Sequence, residues 1–227
     1  MDVGPKAAML LSFDIAELAQ REHDDWHSHE HLPERLAIPG FLRGSRWRAL
    51  SGGPGYFVMY EVAELGVLSS PAYLERLNHP SPWTAKMMRS YRAMRRGLCA
   101  VESRVGHGLG GFGVLLRFDV QPHGQAALRD GLAAEVLPAL AAQTGVASAS
   151  LFRSGQHAAL TAEQRIRGQD AGVDWALLVT GYARSRIDAL ASAERLPSEL
   201  ERRGASGLAS STYRLVHCLS ARDLATG

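Results

Sequence analysis

The chain has 227 residues, 46% of them hydrophobic and 21% charged, an ordinary globular composition that is long enough to bury one large core or two small ones. Twenty-five Lys plus Arg against 23 Asp plus Glu leave a formal charge of +2, too small to argue for nucleic acid or an anionic membrane surface. Two cysteines, Cys99 and Cys218, show no metal-ligand or CxxC spacing and read as small buried hydrophobes. There is no charged-then-apolar leader, and no apolar run approaches the roughly 20 residues of a membrane span, so the expectation is a cytoplasmic protein.

Taken in order, residues 8–15 (AMLLSFDI) read as a strand and residues 17–36 as a helix that kinks or restarts at Pro33. Residues 41–50 and 56–63 read as strands joined by the turn SGGPG. Ser69-Ser70-Pro71 opens a second helix, by cap and first-turn proline. It breaks at His79-Pro80-Ser81-Pro82, resumes over residues 83–96 and carries Arg89, Arg92, Arg95 and Arg96 at its C-terminal end. Residues 98–105 close the unit as a strand. The order β-α-β-β-α-β is the ferredoxin-like split unit. Glycines 106, 108, 110 and 111 mark a seam. The pattern then restarts, with strands at 114–120, 147–153, 174–182 and 211–220 and helices at 124–143 and 185–203.

Setting each residue against the one 105 positions later, from Leu10/Leu115 to Arg48/Arg153, gives 13 identities in 39 positions without a gap. Chance gives about two or three at average residue usage, so the chain reads as a tandem repeat. The units are residues 1–107, which carry a His/Trp/Glu cluster, and residues 108–227, where that cluster is replaced by aliphatic side chains. A polar insertion, residues 157–173, lengthens the second hairpin around Thr161-Ala162-Glu163, and long loops of this kind are commonly functional. Both faces of the predicted strands are apolar, Tyr56, Val58 and Tyr60 on one and Phe57 and Met59 on the other. Each four-stranded sheet therefore needs cover on the side away from its helices. The expected fold is α+β, two tandem ferredoxin-like repeats pressing their sheets together into a pseudo-dimeric α+β barrel with the helices outside.

The candidate chemistry lies in residues 23–41, HDDWHSHEHLPERLAIPGF. On a helix, His23, His27 and His31 stand at successive i, i+4 positions, with Trp26 and Glu30 beside them. The second unit has Leu128, Leu132 and Val136 at these places, and only Glu30 keeps a counterpart, Glu135. A helix needed for packing alone is served by aliphatic residues in both copies, so the polar version points to one specialised site. A histidine near neutral pKa suits proton transfer at carbon or oxygen, and a nearby carboxylate can fix its tautomer. The expected catalytic group is His31 as general acid/base with His27 as partner and Glu30 orienting it or acting as a second acid. Trp26, Arg46, Tyr60, His79 and Trp83 are the candidate pocket walls, with Arg46 placed to hold a carboxylate. The same residues also fit blander roles: a solvated strand arginine, core aromatics, a turn histidine.

Trp26-x3-Glu30-His31-Leu32-Pro33-Glu34-Arg35, Ile38-Pro39-Gly40-Phe41, Tyr60-Glu61 and Ser70-Pro71-Ala72-Tyr73-Leu74 resemble the EthD-like branch of the dimeric α/β-barrel superfamily over about the first hundred residues. That resemblance implies a ferredoxin-like barrel in which, as in muconolactone methylisomerase and fungal dehydratases, a helix histidine near the cleft mouth transfers a proton. It carries over to His31, which precedes Leu-Pro, and less directly to His27, Trp26 and Glu30. The expected function is a cofactor-independent lyase or isomerase acting on a small organic acid or lactone-like molecule, with the two-repeat chain able to pair as a homodimer. Three other readings stand beside it: a metal held by the histidines, a haem-binding monooxygenase-type barrel, and a non-catalytic ligand-binding protein. No phosphate loop, dinucleotide fingerprint or nucleophile elbow is present.

Overall fold

A computed structural model describes residues 4–155, 161–167, 170–192 and 194–224. Eight strands close into one antiparallel barrel: β1 (Ala7–Ile15), β2 (Phe41–Ser51), β3 (Tyr56–Val62), β4 (Tyr91–Gly106), β5 (Phe112–Val120), β6 (Val146–Ser154), β7 (Trp175–Gly181) and β8 (Ala205–Ser220), in the order β1-β3-β2-β8-β5-β7-β6-β4. The β-α-β-β-α-β order occurs twice, and the helices lie outside.

The period-two alternation places side chains as the sequence implies. Tyr56, Val58 and Tyr60 pack outward against the first set of helices. Phe57 and Met59 face the barrel interior, where they meet Leu115, Phe152, Leu178 and Tyr213 from the second half. The sheets are joined edge to edge as well as face to face. β4 and β8 have 16 residues each, about 50 Å at 3.3 Å per residue, which is long enough to serve both sheets. β4 pairs with β1 from Tyr91 to Ala100 and then with β6 from Cys99 to Gly106. β8 does the same between β5 and β2.

Two expectations change. Residues 91–96 are the start of β4 and not the end of a helix, because Tyr91 and Arg92 pair with Ile15 and Asp14 on β1. Tyr91 and Met94 are buried, and a bulge at Ala93, whose φ is +51°, lets the strand turn them both to the face that the first set of helices covers. Arg92, Arg95 and Arg96 are thus strand residues. Cys218 is exposed, whereas Cys99 is buried, and both are free thiols. Among the described residues no helix is long and apolar enough to cross a membrane.

The seam glycines differ in what they permit. A Cβ on Gly110 would lie 2.2 Å from backbone atoms of Gly181, whereas one on Gly111 meets nothing within 4 Å. Gly110→Ala is therefore expected to destabilise the protein by roughly 1–3 kcal/mol, with Gly111→Ala near neutral. Urea denaturation of the two variants checks this.

Candidate active site

The first helical segment is continuous from Glu17–Ala19 through Gln20–Trp26, His27–His31 and Leu32–Leu36. The Leu32–Leu36 segment holds Pro33 in its first turn, as the restart expectation has it, but no non-helical residue separates it from the segment before. Instead His27–His31 forms a π turn, closed by a bond from the Leu32 N–H to the His27 carbonyl. Pro33 lacks a donor and its ring crowds the preceding turn, and the widened turn accommodates it. Leu137-Pro138 sits after the same device, a π turn at Leu132–Val136, and 132 − 27 = 105. Turns of this type are frequent at functional sites.

The turn files three histidines along the buried side of the helix. His23, His27 and His31 are 0%, 1% and 7% exposed, and successive ring centroids are 5.7 Å apart. His23 is held by the Tyr91 hydroxyl (3.2 Å) and Asp24 (3.4 Å). His27 Nε2 shares a 3.3 Å hydrogen bond with the Tyr60 hydroxyl. The His31 ring packs on Trp26 with centroids 4.3 Å apart, and among the described residues no group bonds its buried Nδ1. Burial, then neighbouring Arg35 and His27, hold His31 well below its ordinary pKa of 6.5. Burial, then His23 and Arg46, do the same for His27. Both imidazoles are neutral at pH 7. Burial pushes the Tyr60 phenol well up, so it remains protonated.

His31 and Tyr60 line a cavity with Arg35, Tyr73, Tyr91 and Arg96. Its cover comes from the other half: Thr161, Glu163, Gln164 and Arg167, from the insertion, complete the lining. The Ala162–Arg167 helix docks through a buried ion pair between Arg35 Nη2 and Glu163 Oε1. Further ties are the Asn78 side chain on the Ala162 N–H and the pairing of Ala171 with Met94 and Arg96. Residues 156–160 and 168–169 of the insertion lie outside the described residues. As covered, the cavity leaves about 30 Å³ open to the centre of a water-sized sphere, room for about two waters. The equivalent groove on the second half, by Val136, Leu140, Leu190 and Leu196, measures about 430 Å³ and has no histidine.

The other expected residues fall around this cavity and not in it. Glu30 Oε1 accepts from Trp26 Nε1 (3.1 Å), Ser81 Oγ (2.5 Å) and Thr84 Oγ1 (3.2 Å), so it anchors the helix beneath His31 and bonds to no histidine among the described residues. Arg46 donates to the Asp24 carbonyl (2.9 Å) and Ser28 Oγ (3.0 Å), pinning helix to strand. Trp83 Nε1 donates to Glu22 on the outer surface. His79 is exposed and bonded to Glu75. The residues that sequence reasoning did not select are Arg35, Tyr73, Tyr91, Arg96 and Glu163. Arg35 carried a usable signal, since it stands one turn after His31 and its counterpart at +105 is Leu140.

No family model matches the chain, and no curated protein does. Solved structures do. An anthrone oxidase-like protein is 14% identical, with a TM-score of 0.68 over 97% of this chain and 96% of that one. A candidate monooxygenase of Fusobacterium nucleatum subsp. nucleatum is 8% identical, TM-score 0.62, over 97% and 96%. A chlorite dismutase of Candidatus Nitrospira defluvii is 9% identical, TM-score 0.53, over 96% and 93%. These likenesses establish the α/β-barrel fold. They do not reach the EthD-like branch. Haem does not fit the residues present: the space beside His31 is far smaller than a porphyrin, and the larger groove offers no histidine or cysteine. Among the described residues no three His, Cys, Asp or Glu side chains converge on one point.

Two outcomes follow. Removing one partner of a buried pair strands the other charge, so Glu163→Gln is expected to cost roughly 3–5 kcal/mol, against about 0–1 kcal/mol for Glu199→Gln in its more exposed pair; denaturant titration measures both. His27 and His31 have folded-state pKa values below 6.5, so the unfolded chain binds protons first on acidification. Stability is then full above about pH 6.5 and falls below it, by up to about 1.4 kcal/mol per pH unit per histidine. Urea midpoints at pH 7.5 and 5.5 should show this slope, shallower in His27→Gln.

Proposed function

We propose that the chain is a small-molecule enzyme in which neutral His31 takes a proton from an activated C–H bond, without a bound cofactor. What supports this is one imidazole: it lines an almost closed, aromatic-walled cavity, it is kept unprotonated by burial, and its Nδ1 finds no partner among the described residues. A buried polar atom without a partner is costly, and a substrate or solvent atom in the cavity relieves that cost. Trp26, held by Glu30 and Thr84, fixes the ring from behind. Tyr60, neutral and tethered to His27, presents a phenol to the same space. In the lyase or isomerase reading, the carbanion is reprotonated at a second position or expels a leaving group. This is the chemistry expected of an EthD-like barrel.

The structural neighbours favour a second reading of the same first step. An anthrone is an aromatic ketone with an acidic CH2, and its oxidase must pass electrons from that carbon to dioxygen. Deprotonation is common to both readings, and oxygen uptake separates them. In either case the Thr161–Arg167 segment must yield to admit anything larger than about two waters.

The test uses a panel of carbon acids, including anthrone and unsaturated five-membered lactones, in D2O under argon. The wild type is expected to accelerate deuterium exchange at the acidic carbon, and His31→Gln to lose about 10²–10⁴-fold. The acid limb of the rate profile should fall below pH 6.5, since burial lowers the base. Equal exchange by wild type and variant across the panel would remove the proton-transfer role; ligand binding without exchange would mark a binding protein.

A further inference from the structure

Three donors in the His31 cavity are under-satisfied. Arg35 is 1% exposed, and while its Nη2 meets Glu163, its Nη1 is buried with no partner among the described residues. Arg96, on β4, donates through Nε to the Met9 thioether at 3.5 Å and through Nη2 to the Tyr73 hydroxyl at 3.3 Å. It forms no ion pair with a carboxylate among the described residues. The Tyr73 hydroxyl in turn donates to the same thioether, at 3.3 Å. Sulfur is a weak acceptor, so two strong donors are spent on it. Arg35 and Tyr73 adjoin, with the guanidinium carbon 5.8 Å from the ring centroid. Of the other charges at the cavity, Glu163 is taken by Arg35, and Arg167 is taken by Asp170 through bonds of 3.0 and 2.6 Å. The balance among the described residues is one positive charge, that of half-buried Arg96, without a carboxylate partner, one buried Arg35 nitrogen without an acceptor, and two donors that rest on a thioether.

We propose that Arg35, Arg96 and the Tyr73 hydroxyl form a carboxylate subsite, so that the substrate is a small organic acid whose reacting carbon lies beside His31. The second clause rests on the proton-transfer reading; the first does not. A carboxylate offers two oxygens with about four lone-pair sites, which suits donors arriving from two arginines. Charge-assisted hydrogen bonds of this kind are about twice as strong as neutral ones. Arg46, the arginine that strand position alone suggested, is not among the residues that line this cavity, and its two terminal nitrogens bond the Asp24 carbonyl and Ser28 Oγ.

Isothermal titration of acetate and benzoate against their neutral isosteres acetamide and benzamide tests the subsite. The proteins are wild type, Arg96→Gln, the double variant Arg35→Met/Glu163→Gln, which removes both buried charges together, and Arg184→Gln as a surface control, each checked for cooperative unfolding. The wild type and control are expected to bind at least one carboxylate tenfold or more tighter than its amide, and both cavity variants to lose that preference. Carboxylate and amide bound alike by the wild type, no carboxylate binding, or a preference kept in both cavity variants would overturn the subsite. The readout needs no turnover, so the two readings fail separately. A carboxylate preference in a protein whose His31→Gln variant keeps its exchange rate upholds the subsite and ends the proton-transfer reading.

Discussion

A sheet has edges whose backbone donors and acceptors need partners, and a face that must be kept from water. In this chain β4 and β8 meet both demands at once. Each runs past the end of its own sheet and continues as a strand of the other, which removes the four open edges and encloses an interior shared by Leu10, Trp47, Phe57, Leu115, Phe152 and Leu178. With the inner faces committed to one another, only the outer faces remain for helices, and the cavity beside His31 lies between sheet and helix. Closure of the barrel thus decides where a site can be.

Within that frame the two halves use one backbone device for different ends. Both carry a π turn followed by Leu-Pro. In the first half it directs imidazoles at Tyr60 and the cavity. In the second, Leu132 and Leu137 join the core and a groove is left open outside. The electrostatic contrast is sharper than the sequence contrast. Burial first, and then cationic neighbours such as Arg35 and Arg46, holds the pKa values of His23, His27 and His31 below the ordinary imidazole value. The carboxylate that lines the cavity is that of Glu163, 128 residues from Arg35 along the chain.

The fold was legible because it rests on short-range signals: strand alternation, capped helices opening at Ser70-Pro71, glycines at the seam, and identities at a fixed offset. The boundary at residues 91–96 was not, since a run containing Met, Arg and Tyr suits a helix until β1 offers it a pairing partner. The candidate site was legible where neighbours share one helix, as His31 in the cavity lining and His27 beside it do. It was not legible where tertiary contact assigns the role. Glu30 and Arg46 have the chemistry of catalytic and binding groups, yet their hydrogen bonds are consumed in holding the helix to Ser81, Thr84 and Asp24. Tyr73, Arg96 and Glu163 come from three separated segments, and no local pattern marks them as neighbours.

The cover over the histidines belongs to the opposite hairpin, and this binds the evolution of the two halves together. A deletion of the Ala162–Arg167 helix would strip Arg35 of its counter-ion and open the first half's chamber to bulk solvent. Drift in one repeat is therefore read out as a change of chemistry in its neighbour, and neither could be exchanged for a simpler homologue without rewriting the other. The chain behaves, in this sense, as a heterodimer that can never dissociate.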